Sequence, residues 1–480
     1  MNRHKTVKKS LILLVAVLMC VAVFLAACGE KPFKPNFTAP TGGKVDSNGG
    51  IAVQYGEWIY YVNGYESSAS ATNTYVDTNA APRVGSVVRI KAADIQGILD
   101  INDDDKLSSS EKTKAIAKAV AEKTEIVVPN IYYSANTTNA AINGIYIFQD
   151  RLYILTPNDR LTAGGSTQTN QSVLMSYDLA GGNPQRHFTF SNNNAQVWLY
   201  EKAGKVMATY FMNGKLFVLE VANDEKSVST EITGEEETIS EVKYDEAGNC
   251  LFFIDGDGSV CKLTLGDKEK KVIINNKLEG DEKSTKKYTI KSVNNGYVYY
   301  TVADTDNSDL DNVVLYYINT NTDGEPQVSL DTADVTANGW KDGKVVVVRQ
   351  TSNGYYGLYL LTQQDGKNPT CLLLPGYNES SIEIWKIVGD DLYYSAGGVM
   401  YRKDLSAIES EEKYEERFGE AYATSSISST STWALPDRIV VGDSIYVFSF
   451  GTGSVSVVKF DPEKKSDSAS TLFTKTVVED

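Results

Sequence analysis

Residues 100–111 read Asp-Ile-Asn-Asp-Asp-Asp-Lys-Leu-Ser-Ser-Ser-Glu and carry the clearest candidate chemistry in the chain. Asp100, Asn102, Asp104 and Ser108 place side-chain oxygens at positions 1, 3, 5 and 9 of a twelve-residue stretch, and Glu111 closes it at position 12. A hard cation such as Ca2+ takes roughly six to eight oxygen ligands, so one short loop must wrap it on many sides. This spacing would do so with those side chains, the Lys106 backbone carbonyl and both oxygens of Glu111. Residues 112–122 predict a following helix, with Ile116 and Val120 on one face. A second reading uses the same residues without metal: Ser108 caps that helix and Glu111 completes a capping box. It accounts for Ser108 and Glu111 but leaves Asp100, Asn102 and Asp104 unexplained.

Other chemistry is sparsely supplied. The only histidines are His4 and His187, so a serine triad or a multi-histidine metal site has almost nothing to draw on. His187, beside Arg186, reads as a surface strand residue. No Gly-rich phosphate loop follows a strand and opens a helix. Cys250 and Cys261 would face each other if Asp255-Gly256 were a two-residue hairpin turn, within disulfide reach. The adjacent Asp257-Gly258 allows another register, and two free buried thiols are the favoured reading. Nothing marks Cys250, Cys261 or Cys371 as a nucleophile. The acidic run 304–311 reads as a hairpin loop, and the Glu/Lys-rich segment 406–423 as a short surface helix.

The 100–111 stretch resembles the calcium loop of EF-hands and dockerins. It departs from that pattern in having Asp105 at position 6 in place of Gly, in lacking a second loop, and in a short entering helix (92–99) that contains Gly97. The resemblance implies a small helical insert over 92–123 with Ca2+ as cofactor. The N-terminus carries a second signature. Arg3, Lys5, Lys8 and Lys9 precede an apolar run, 11–27, that ends in Leu25-Ala26-Ala27-Cys28-Gly29. A cationic start, an apolar middle and small residues at the end make an export signal. The ending resembles the bacterial lipobox, which implies cleavage before Cys28, lipid on its thiol, and a chain held at the outer face of the cell membrane. Residues 28–50, with Pro32, Pro35, Pro40 and several Gly, read as a flexible tether.

The remainder, 51–480, repeats. A turn with Gly, Asp or Asn leads into an aliphatic and usually an aromatic residue, with the aliphatic at Ile59, Leu152, Val206, Leu251, Val298, Val345, Leu392 and Ile445. Most intervals are close to one period of 45–54 residues; the first is near double, and the insert lies within it. Each mark is followed by a polar turn and a second β-rich run, such as 87–90, 216–219 or 455–458. Alternating β-branched and aromatic runs joined by short turns are hairpins, and four strands per period is the arithmetic of a propeller blade. The expected fold is an all-β, eight-bladed β-propeller, with seven blades the alternative if a terminal unit is misread. The Ile-Tyr-Tyr and Val-Tyr-Tyr units resemble uncharacterised bacterial lipoproteins whose Tyr-rich propeller is likened to that of the LDL-receptor-related family. That resemblance implies no catalytic residues, and the tyrosines read as strand and core packing.

The chain has 480 residues and a net charge of -16; removing 1–27, which carries four basic residues and no acid, leaves -20. That balance opposes an electrostatic grip on nucleic acid. The expected function is a non-catalytic binding or scaffolding module for a protein or polysaccharide, membrane-associated only through its lipid. The alternative is a propeller-fold carbohydrate-active enzyme using paired carboxylates.

Overall fold

In the computed structural model the described residues are 37–63, 86–128, 143–161, 167–234, 237–278, 284–307, 314–322, 324–330, 338–350, 354–362, 370–373, 379–396, 399–407, 413–414, 437–441, 444–451, 454–460 and 472–476. They are nearly all β. The strands pair into eight antiparallel sheets, each built from consecutive strands except for one added at an edge. In chain order the sheets occupy residues 45–128, 146–190, 196–231, 240–274, 286–330, 338–373, 382–404 and 437–476, and they are called sheets 1 to 8 below. All eight marks of the repeat fall on the second long strand of a sheet, from Trp58–Val62 to Ser444–Gly451. Among the described residues the doubled first interval holds no extra sheet. Two long connections and a pair of helices fill it.

Neighbouring sheets touch all the way round. The Tyr60 hydroxyl of sheet 1 donates to the Leu179 carbonyl of sheet 2 at 2.9 Å, and Tyr146 of sheet 2 donates to Val197 O of sheet 3 at 3.1 Å. Ile239 N–H, leading into sheet 4, donates to Gly214 O of sheet 3 at 2.8 Å. Ile290 N–H of sheet 5 reaches back to Glu241 Oε2 of sheet 4 at 2.7 Å, and Gly339 N–H of sheet 6 to Ser292 Oγ of sheet 5 at 2.7 Å. The Trp340 indole N–H ties sheet 6 to Asp390 of sheet 7 at 2.8 Å. Val399–Asp404 of sheet 7 packs on Ser454–Phe460 of sheet 8, and Asp437–Val441 of sheet 8 packs on Ala52–Tyr55 of sheet 1. The strands that meet from sheet to sheet are the ring-lining ones, for example Ser240–Asp245, Lys286–Asn294, Asn338–Gly339 and Ile382–Val388 in succession. A closed ring of radial meanders, here of three to five strands each, is a β-propeller. The seam between sheets 8 and 1 closes without strand exchange.

Tyrosine does the packing. Tyr55, Tyr60, Tyr61, Tyr299, Tyr393 and Tyr394 are among the largest fully buried side chains, on strands whose neighbours are Val, Ile and Leu. Their hydroxyls sit in low dielectric, which drives the Tyr61 pKa up to about 12. Each such ring removes enough apolar surface from water to contribute about 2 kcal/mol.

Two expectations fail here. Residues 37–50 were read as tether, yet they are fastened to the ring. Val45 and Asp46 pair with Tyr55 and Gln54. Asn48 then mimics a strand residue on sheet 2, accepting from Ile147 N–H at 2.6 Å and donating to Ile147 O at 3.1 Å. Further out, the Arg89 guanidinium lies between the rings of Phe37 and Trp58, 4.3 and 4.0 Å from their centroids, and donates to Thr38 O, Tyr60 Oη, Leu179 O and Glu125. A polyproline-like, glycine-rich composition had concealed a segment whose partners are one buried charge and one amide. The other failure is the segment expected to be a helix at 406–423. Leu405–Ala407 makes one 3-10 turn, and Lys413–Tyr414 is an edge strand paired with Cys371 and Leu372 of sheet 6. Its other residues lie outside the described set, as do 1–36, Cys28 included.

Candidate functional site

Helices α1 (Ala92–Asp103) and α2 (Ser109–Lys123) form the insert of sheet 1. α1 is longer than expected and carries Asp100 and Asn102 in its last turns. The Asp100 carboxylate accepts from Gln96 Nε2 at 2.6 Å, one helical turn back. Asp104 Oδ1 accepts from Lys106 N–H at 2.9 Å and shapes the turn between the helices. Ser108 is the N-cap of α2 in a full capping box: its Oγ accepts from Glu111 N–H at 3.4 Å, and Glu111 Oε2 accepts from Ser108 N–H at 2.9 Å and from its hydroxyl at 2.6 Å. Those bonds to Ser108 hold the Glu111 carboxyl below its ordinary pKa. Asp100, Asp104 and Glu111 thus face local donors, and among the described residues no three His, Cys, Asp or Glu side chains converge as metal ligands.

His187 is not a surface residue. It is buried, stacked on Tyr153 with centroids 5.5 Å apart. Its partners give the hydrogen bonds one direction. Arg151 Nε–H donates to Ser176 Oγ at 3.0 Å, Ser176 donates to His187 Nε2 at 2.7 Å, and Nδ1–H is left for Ala222 O at 2.9 Å. A Ser–His pair is present, but both members are buried and the ring is oriented by a carbonyl, where a triad uses a carboxylate. Burial pushes the imidazole pKa down, Arg151 adds to that, and the Ala222 carbonyl opposes it. Alternation along Gln185–Phe190 groups His187 with Gln185 and Thr189, opposite Phe188 and Phe190; the register shift that leaves His187 between the Phe188 and Arg186 pairings is what alternation does not show.

The thiols are inert. Phe253, not Cys250, pairs with Cys261, because the hairpin turns through Gly256–Gly258 with Gly258 at φ +81°. A three-residue loop with a left-handed third residue replaces the two-residue turn. Cys250 and Cys261 are free and buried, and burial together with Asp245 raises the Cys250 pKa to about 12. Burial and Asp255 raise Cys261 likewise. Neither supplies a thiolate near neutral pH.

What the residues do build is a belt. The turns joining the first two long strands of successive sheets all lie at one end of the ring. Most are two residues long, with left-handed pairs such as Gln149-Asp150 (φ +52° and +56°) and Asn295-Gly296 (+47° and +83°). Among the described residues, the turns of sheets 1 to 7 are bonded to another sheet, by their own atoms or through a flanking residue. Tyr55 of sheet 1 donates to Asp150 of sheet 2. Gln149 donates to Glu201 at 3.0 Å and to Gly204 O at 2.9 Å, on sheet 3. Asp245 of sheet 4, buried, accepts from Gly248 N–H at 2.9 Å and from Asn295 and Gly296 N–H of sheet 5 at 2.8 and 2.6 Å. Tyr297 donates to Asp342 on sheet 6 at 2.8 Å, and Trp340 there to Asp390 on sheet 7. Asn294 skips a sheet: it donates to Gly389 O at 2.9 Å and accepts from Gly389 N–H at 3.1 Å. Lys386 of sheet 7 reaches Glu246 of sheet 4 at 3.1 Å. The sequence offered one local signal for this belt, the Asp/Asn-Gly turns, but not that their carboxylates and amides serve the next sheet.

No family model matches the chain, and no curated protein matches it. Solved structures resemble it distantly. The dihydro-heme d1 dehydrogenase NirN in complex with DHE has 11% identity and TM-score 0.40, covering 93% of this chain and 76% of that one. Hsv2 of Kluyveromyces lactis has 10% identity and TM-score 0.35, over 69% and 96%. The C-terminal WD40 domain of Sif2 has 10% identity and TM-score 0.30, over 66% and 79%. Likeness at that level says nothing of function. Among the described residues no helix is long and apolar enough to cross a membrane.

Proposed function

We propose that this chain is a lipid-anchored, extracytoplasmic binding or scaffolding module, an eight-bladed propeller whose partner is a protein or a glycan. The observation that carries the proposal is the belt. A ring whose first turns are tied sheet to sheet is a rigid platform, and the chemistry-bearing side chains (His187, the two thiols, Asp245) are spent on holding it together. Recognition is assigned to the opposite end, where 63–86, 129–145 and 275–285 run long; the belt end carries the two-residue turns and, beside Glu57, the packed helical insert 92–124. The rival enzyme reading needs a carboxyl raised toward neutral pH to act as an acid. Among the described residues the carboxyls that depart from their ordinary range, Glu111, Asp255, Asp304 and Asp404, are all lowered. For Asp255 burial pulls upward, but Lys270 and the Ser259 N–H outweigh it. The deciding experiment incubates the purified full chain with cell-wall polysaccharide and with surface proteins of the producing cell. Saturable retention without new reducing ends supports the binding module; release of reducing sugar overturns it.

Cys28 is the proposed lipid site, and fatty-acid labelling that persists in Cys28→Ala would end that assignment. Calcium at 100–111 also stands as a proposal. The start of α2 at Ser109, position 10 of the loop, supports it, while the capping box opposes it, because Ca2+ would have to draw Glu111 away from Ser108. Calorimetric titration with CaCl2 should show one site that is lost in the double variant Asp100→Ala, Glu111→Ala. An isotherm without heat in the unaltered protein removes calcium from the account.

A further inference from the structure

The insert has an occupation that needs no metal. α1 and α2 both pack against Leu472–Thr476, the outermost strand of sheet 8, although they belong to sheet 1. Their apolar faces, Ile95, Ile98 and Leu99 from α1 with Ile116 and Val120 from α2, are buried in one cluster that also contains Val457 of sheet 8. The pair is rigidly joined to its own sheet. α1 begins at Ala92, directly after the strand Val87–Lys91, and only Thr124 separates α2 from the strand Glu125–Val128. Ala92 N–H is bonded to Glu57 O at 2.9 Å, and Lys123 pairs with Asp94 at 3.2 Å, tying the end of α2 to the start of α1. A propeller that shares no strand between its first and last sheets has only side-chain contact at the seam. Its last outer strand is also an edge that would pair with other chains unless something covers it.

We propose that the helical pair is the closing clasp of the ring: it reaches from sheet 1 across the seam, covers the outer edge of sheet 8 and takes over the part that strand exchange would otherwise play. The clasp holds sheet 8 specifically, so weakening it opens that sheet first and leaves the middle of the ring closed.

The test is hydrogen–deuterium exchange on the full chain carrying Ile116→Ser and Val120→Ser. Amides of 437–476 are expected to exchange about tenfold faster or more, and those of 205–220 and 297–319 at the unaltered rate, because sub-global opening is read segment by segment. Unchanged protection in 437–476 overturns the proposal, and so does an equal loss in all three segments. If the double variant does not fold, Val120→Ala alone gives the same contrast at smaller amplitude. Val206→Ala, a buried truncation in sheet 3, is the control that must leave 437–476 no worse than the rest.

Discussion

The two ends of the ring differ in how their connections are spent. At the belt, turns of mostly two residues hold left-handed backbone and are bonded across sheet boundaries by Tyr55, Asp245, Asn294, Tyr297 and Trp340. At the other end the connections are longer and their bonds are mixed: Asn276 donates to Lys286 O and accepts from Ser284 within its own connection, while its N–H reaches Ser259 of the preceding hairpin and Ile239 N–H reaches Gly214 O of sheet 3. The lesson is that the recurring motif of a sequence, its Asp/Asn-Gly turns, can mark the scaffold, while connections of unequal length are free to carry recognition. Rigidity at one end is what lets the other vary.

The strongest way to break that contrast is Asp245→Ala. It strips the acceptor from three backbone N–H groups, two of them on the next sheet, and should lower stability by about 2–4 kcal/mol, since buried donors are left unpaired. Urea unfolding followed by tyrosine fluorescence measures it; a loss within error would show the belt to be ornamental. Gly296→Ala comes next. Gly296 sits at φ +83°, and an added Cβ would come within 2.2 Å of the Asn321 side chain, so a loss of about 1–2 kcal/mol is expected. Tyr297→Phe deletes the bond to Asp342 and the one the hydroxyl accepts from Asn319, both partly exposed, and should cost about 0.5–1 kcal/mol in the same assay.

His187 adds a gradual effect. Its folded pKa lies below the ordinary 6.5, so the unfolded chain takes up its proton first as pH falls. Stability is therefore full above about pH 6.5 and declines as the solution is acidified through that value toward the lower folded pKa. His187→Gln should flatten this part of the pH–stability curve, and an identical slope in both proteins would clear His187 of the role. The smallest effect belongs to the open end. Four Gly/Ser residues inserted after Asn307 should change stability by less than about 0.5 kcal/mol, because loop closure grows only slowly with length. A loss as large as that of Asp245→Ala would erase the distinction between the two ends.

Local pattern carried the architecture. Ile59, Val298 and Leu392 mark second strands because alternation and turn chemistry act over a few residues and need no knowledge of partners. The capping reading of Ser108 and Glu111 was legible for the same reason. What the pattern could not carry depends on distant atoms. Residues 37–50 look like linker because their anchors, Arg89 and Ile147, lie elsewhere in the chain. The Cys250–Cys261 register turned on which of two Asp-Gly pairs bends the hairpin, a choice made by Gly258. His187 is inward because Ala222, from the next sheet's connection, closes over it.

The absence of strand exchange has a kinetic consequence. Apart from the edge strand Lys413–Tyr414 added to sheet 6, every sheet is made from neighbouring stretches of chain, so each can form once its own residues are available. One event is different in kind: the meeting of Ala52–Tyr55 with Asp437–Val441, which spans nearly the whole polypeptide. Contacts of that sequence separation are the slow ones. The chain should therefore assemble as a progressively lengthening arc, and the lifetime of that unclosed arc, rather than the formation of any one sheet, sets how long its apolar ends stand open to other molecules.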